Sequence, residues 1–172
     1  MKAFALVLAG GLTFSAAAAF AQGPNDAQIA HIVVTANQVD IDAGQLAADW
    51  GTNAGVKAFG TMMATDHMGV NRLATELATR LKVTPEDNAT SQSLKNGGLK
   101  NVAHLKTLKD AAFDKAYIDN EVAYHQAVLD AVDKTLIPSA QNAELKALLV
   151  KVRPAFVAHL NHAQTIQKAL AK

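Results

Sequence analysis

The chain has 172 residues, half of them hydrophobic, with 16 basic against 15 acidic side chains, 5% aromatics and no cysteine. That length fits one domain with a substantial core, and without cysteine neither disulfides nor a lipid-modified N-terminal cysteine is available, so stability must come from packing. A near-neutral balance with no basic block argues against binding to nucleic acid or to an anionic membrane surface.

Lys2, the apolar run Ala3 to Phe20 and the small-x-small pattern Ala19-Phe20-Ala21 match an export signal. Cleavage is expected after Ala21, with residues 22–172 as one helical domain in the periplasm or outside the cell. The alternative is an uncleaved anchor, since the run is nearly long enough to span a bilayer; Gly10-Gly11 and the cleavage pattern favour a signal. Removing Lys2 leaves 15 basic residues against 15 acidic ones. No later run is long and apolar enough to cross a membrane.

The mature sequence is rich in alanine and leucine and poor in consecutive β-branched residues, which favours helices. A first long helix is predicted from about Asp26 to Trp50, because Ile29, Ile32, Val33, Ala36, Val39, Ala43, Leu46 and Ala47 recur at three- and four-residue steps. Gly51-Thr52-Asn53 ends it, and Thr52 or Asn53 caps a second helix that carries Val56, Phe59, Met63, Val70, Leu73, Leu77 and Leu81 to about Lys82. Thr84-Pro85-Glu86-Asp87 reads as a further helix start, with a threonine cap and proline in the first turn. That helix is expected to be short and interrupted at Gly97-Gly98, within a long crossover. A third long helix begins near Asp110 with Phe113, Tyr117, Ile118, Val122, Leu129, Val132 and Leu136. Ile137-Pro138-Ser139 turns the chain with Ser139 as cap, and a fourth helix runs through Leu145, Leu149, Val152, Phe156, Leu160, Ala163, Ile166 and Leu170, with a kink expected at Pro154. Two short connections flanking a long one predict two antiparallel hairpins joined by a crossover, an all-α arrangement as in ferritin-like four-helix bundles.

Polar residues interrupt these apolar stripes. Asp40 lies on the first helix, Asp66 and His67 on the second, Glu121 and His125 on the third, and His159 and His162 on the fourth. His67 falls roughly 13 residues into its helix and His125 roughly 15 into its own, which puts them near one layer at 1.5 Å per residue. Buried acids and imidazoles are costly unless paired or bound. Imidazole suits iron, copper, nickel and zinc, and carboxylates add affinity for iron or manganese. The expected cofactor class is therefore a transition metal (iron, copper or zinc). The alternative is a hydrogen-bonded core network that fixes helix register. Met62, Met63 and Met68 read as core and flank residues, His31 and His104 as surface residues, and Trp50 as a packing cap. No glycine-rich phosphate loop, nucleophile elbow or paired-cysteine motif appears.

The strings Val56-Lys57-Ala58-Phe59-Gly60, Met63-Ala64-Thr65-Asp66-His67, Phe113-Asp114-Lys115-Ala116-Tyr117 and Pro154 with His159-Leu160 occur in the order seen in a bacterial exported family, "domain of unknown function 4142", which the chain resembles over nearly all its mature length. The resemblance implies a ferritin-like fold without an established activity, and marks Asp66, His67, Asp114, Tyr117, His125, Pro154 and His159 as motif positions. Ferritin-like di-iron enzymes use a glutamate from each of two helices and Glu-x-x-His from the other two. Here Ala64 and Phe156 stand three residues before His67 and His159, which argues against a ferroxidase. The leading expectation is an exported, non-catalytic protein that binds a metal or a partner, whether an envelope protein or a second copy of itself. A metal-dependent redox enzyme and a purely structural or stress-related bundle are the alternatives.

Overall fold

A computed structural model describes residues 23–172. The expected signal and its cleavage point after Ala21 lie outside the described residues. Among the described residues every regular element is helical: α1 (Asp26–Trp50), α2 (Ala54–Leu81), α3 (Ala89–Leu105), α4 (Asp110–Ala131), a π-helical stretch Val132–Leu136, a short α5 (Ile137–Ser139) and α6 (Ala143–Leu170). None is long and apolar enough to cross a membrane.

The apolar periodicity that predicts α1 and α2 matches their bounds closely. Asn25 begins α1 through a reciprocal capping box with Gln28, and Asn53 begins α2 by accepting from the amides of Gly55 and Val56. The two helices meet along their lengths, with Asn37 opposite His67 and Asn71 bonded to the carbonyl of Val34. At their closest approach Gly44 faces Gly60: a β-carbon on Gly44 would stand 2.7 Å from the Gly60 carbonyl oxygen, and one on Gly60 2.6 Å from that of Gly44. Glycine is required at both, because backbone occupies the space a side chain would take.

Three local expectations are corrected. The segment after α2 does not start a helix at Thr84-Pro85; Asn88 caps α3 instead, accepting from Thr90 and Ser91 N–H while Ser91 Oγ accepts from the Asn88 amide. The crossover is pinned to α1, because Glu86 N–H donates to the Ala27 carbonyl at 3.0 Å. Gly97-Gly98 does not interrupt α3. Gly98 lets α3 press on α1, since a β-carbon there would meet Val39 Cγ2 at 2.7 Å. Asn142, not Ser139, caps the last helix, accepting from the amides of Glu144 and Leu145. Pro138 has no N–H to give, and the helix ahead of it widens until Ile137 N–H reaches the Val132 carbonyl. At Pro154 α6 runs on without a break; Pro154 and Val150, whose carbonyl loses its donor, are both exposed.

The core has two apolar ends. Phe59, Met63, Leu105, Phe113, Tyr117 and Ile118 fill the end near the α1–α2 turn. Ile29, Ile32, Leu77, Val132, Leu136 and Leu149 fill the opposite end. Each end is tied by a carboxylate. Asp114 accepts from Thr52 N–H at 3.0 Å, Thr52 Oγ1 at 2.6 Å and Asn53 N–H at 2.8 Å, clasping the α1–α2 turn to α4. Asp26 accepts from Gln141 and Asn142 N–H, both at 2.9 Å, clasping the α5–α6 turn to α1. Between these ends lies a polar layer.

Candidate metal centre

Three imidazoles converge in that layer from three helices. The ring centroids of His67 (α2), His125 (α4) and His159 (α6) stand 5.7, 5.3 and 5.4 Å apart, and Phe156 stacks on His67 at 5.4 Å. One donor atom from each of the three lies within 4.8 Å of the others; so does one from each of Asp40, Glu121 and His125. His125 belongs to both groups, and all five side chains are buried.

The hydrogen bonds around the rings fix where their protons sit. His67 Nδ1 lies 2.7 Å from Asn37 Oδ1. Asn37 presents that oxygen because its amide nitrogen donates to Asn71 Oδ1, and Asn71 in turn donates to the Val34 carbonyl. Nδ1 of His67 therefore carries the proton and Nε2 the lone pair. His125 Nδ1 faces the Glu121 carbonyl at 3.1 Å, which can only accept, so its lone pair is again on Nε2. His159 Nε2 donates to Asp66 Oδ2 at 2.9 Å, leaving the lone pair on Nδ1. The three nitrogens so defined, with Asp40 Oδ1 and both Glu121 carboxyl oxygens, are buried and have no hydrogen-bond partner. A ligating histidine has this arrangement: its other ring nitrogen donates to an outer acceptor and the lone pair points at the metal.

The carboxyl groups show the same tension. Burial raises Asp40 to about 8, with its close neighbour Glu121 acting against the rise. Burial and the nearby Asp40 carboxyl raise Glu121 well above its usual value. Burial, with His125 and His159 close by, pushes His67 down to about 2. Burial, with His159 beside it, lowers His125 to about 4. The protein matrix thus disfavours charge on every one of these groups. His67 Nε2 and Asp40 Oδ2 lie 3.3 Å apart, yet with the ring proton on Nδ1 two acceptors face each other there. A proton on Asp40 or a cation between them relieves that contact. Orphaned nitrogens and carboxyl oxygens of this kind fit a transition metal with mixed imidazole and carboxylate donors.

The remaining predicted residues lie at the margin. Asp66 is exposed and touches the layer only through His159. His162 is exposed and set edge-on to Phe59, with ring centroids 5.3 Å apart. Met63 is buried in the core, Met62 half-buried and Met68 exposed; His104 is exposed, and His31 is half-buried with Nδ1 3.7 Å from Asp87 Oδ1. Trp50 tilts against Phe113 at 6.3 Å but is half exposed. Sequence reasoning missed Asn37, although its spacing carries a signal: it lies four residues after Val33 and three before Asp40, on the buried stripe. It also missed the orphaned hydroxyl of Tyr117, buried one turn before Glu121.

No curated protein and no solved structure matches the chain. A family model does, over residues 11–166, and the chain belongs to that family, described as "Domain of unknown function (DUF4142)".

Proposed function

We propose that this protein is an exported ferritin-like four-helix bundle that holds a transition-metal ion in the cell envelope. One observation carries the reading: three buried imidazoles each place one nitrogen against an outer acceptor and leave the other without a partner, with one nitrogen from each ring within 4.8 Å of the others. Left empty, the space between them costs the desolvation of several polar atoms with nothing in return. His67, His125 and His159 would hold the ion, with Asp40 and Glu121 beside them. A cation there reverses the electrostatics that now keep the carboxyls protonated. Carboxylate next to imidazole favours iron or zinc over copper(I), which seeks sulfur ligands.

The ferritin-like topology is supported by register. Asn37 meets His67 and Val34 meets Asn71 across α1 and α2, while Asp119 of α4 meets Gln167 and Asp133, in the π-helical stretch that continues α4, meets Arg153 of α6. In each pair the numbers rise in one helix as they fall in the other, as two antiparallel hairpins require. The sequence pattern of Lys2, the apolar run Ala3 to Phe20 and Ala19-Phe20-Ala21, expected to be an export signal, is what supports an envelope location.

A metal-free polar network is the second reading, favoured by Asp40: protonated, it can donate to His67 Nε2 across 3.3 Å. Metal analysis of protein purified without chelators decides between them. The metal reading expects bound ion in near-integral ratio to chain, lost in His125→Ala and in His159→Ala. Substoichiometric metal that both variants leave unchanged overturns it. With metal bound, oxygen consumption on adding ferrous iron separates a redox enzyme from a binding protein.

A further inference from the structure

The centre is sealed on nearly every side. Asp40, His67, Glu121, His125 and His159 are each 4% exposed or less. The outer acceptor of His67, Asn37, is 2% exposed, and that of His125 is a backbone carbonyl inside α4. On the carboxylate side Tyr124 lies close to Asp40 and Glu121, and its hydroxyl is tied to the Ala36 carbonyl at 3.0 Å. His159 differs. Its acceptor, the Asp66 carboxylate, is 47% exposed and stands 2.9 Å from Nε2. One imidazole therefore spans from solvent to the interior, with Nε2 at a surface carboxylate and Nδ1 at the centre.

We infer that Asp66 and His159 form the entrance through which a divalent cation reaches the buried site, an inference that rests on the metal reading above. Asp66 supplies a negative charge at the surface, where a cation is first captured. A cation drawn onto the Asp66 carboxylate takes up the negative charge that now holds the His159 N–H, so capture weakens the hydrogen bond that keeps the ring in place. Once that bond is released, no other hydrogen bond restrains the imidazole, because Nδ1 has no partner. The ring then turns aside and the cation passes from the carboxylate to the inward nitrogens. Asp66 is in this account a capture residue and not a ligand of the final site. His162, exposed on α6 one turn beyond His159, lies beside it.

The test is the rate at which the intact protein takes up Co(II), supplied as the ion alone and followed by its visible absorption in stopped flow at low and moderate ionic strength. Asp66→Asn keeps an oxygen for the His159 N–H but removes the charge, and is expected to slow uptake about tenfold and to flatten its salt dependence. Asp66→Glu, which restores the charge, is expected to load like wild type. Glu76→Gln, a neutralisation elsewhere on exposed α2, controls for net charge and is expected to change nothing. Wild-type speed and salt dependence in Asp66→Asn overturns the entrance while leaving the centre standing. Unchanged speed with less cobalt held at equilibrium also overturns it, making Asp66 a residue that positions His159. A wild type that takes up no cobalt overturns centre and entrance together.

Discussion

Two buried carboxylates on α4, Asp114 and Glu121, occupy opposite situations. Asp114 accepts from two backbone amides and a hydroxyl, all within 3.0 Å. Glu121, 1% exposed, has no hydrogen-bond donor for either oxygen. Burial alone therefore says little about what an acid is for. Where donors surround it, the acid is part of the frame; where its neighbours are another carboxyl and an imidazole N–H already given to a backbone carbonyl, only a proton or a cation completes it. The same helix carries both, about two turns apart, and the frame at the turn keeps the unsatisfied layer in register.

The comparison predicts effects of opposite kind. Asp114→Ala strands the amides of Thr52 and Asn53 at the α1–α2 turn and is expected to lower stability by about 3 kcal/mol, read from the urea midpoint, without changing metal content. A loss below about 1 kcal/mol would remove the distinction between the two acids.

For Glu121 and Asp40 the expected effect is a dependence on pH. Their folded-state values are raised, Asp40 to about 8 from 3.8, so their contribution is full below the unfolded value and is lost as pH rises through the folded one. His67 and His125 are lowered from 6.5 to about 2 and about 4, and their contribution is full above 6.5 and lost as pH falls. Between these values the two sets oppose each other; above 6.5 only the carboxyls act. Metal-free protein should therefore lose stability from pH 6.5 through 8, by up to about 1.4 kcal/mol per pH unit for each proton released. Glu121→Gln should reduce that slope, and saturating metal should abolish it. Flat stability of metal-free protein over this range would show that the carboxyls are already ionised or already paired.

The smallest effect is expected at Tyr117, whose buried hydroxyl also lacks a partner. Tyr117→Phe removes an unsatisfied group and should leave stability unchanged or raise it by about 1 kcal/mol. Thermal unfolding of metal-free protein measures it, and a clear loss would reveal a partner for the hydroxyl.

Much of the frame was legible because long apolar stripes leave few choices. The ranges of α1, α2 and α6 follow from repeated small and branched apolar residues, and counting rise per residue placed His67 and His125 at one depth, where their rings stand 5.7 Å apart. Caps were less legible. Several Ser, Thr and Asn residues compete within a few positions, and the winners, Asn88 and Asn142, are those whose side chains reach two amides at once. Gly98 misled because a glycine that breaks a helix and one that admits a neighbouring helix are identical in sequence; only Val39 on α1 distinguishes them. In the site, charged residues stood out against the stripe, whereas Asn37 did not, although it sets the tautomer of His67. His159 continues the stripe of Val152, Phe156 and Ala163 and turns inward, whereas His162 stands at its flank and is exposed, a difference the stripe itself carries.

The contact of Gly44 with Gly60 bears on what the layer can accommodate. Asp40 lies one helical turn from Gly44 along α1, and His67 about two turns from Gly60 along α2. Main chain rests on main chain at that crossing, so the separation of the α1 and α2 backbones beside Asp40 and His67 is set by a hard stop. An ion too small for that span must draw α4 and α6 inward instead. For an ion held as proposed, the α1–α2 side would act as the fixed jaw of a caliper, and the size of ion accepted would be decided by how far the other side can travel.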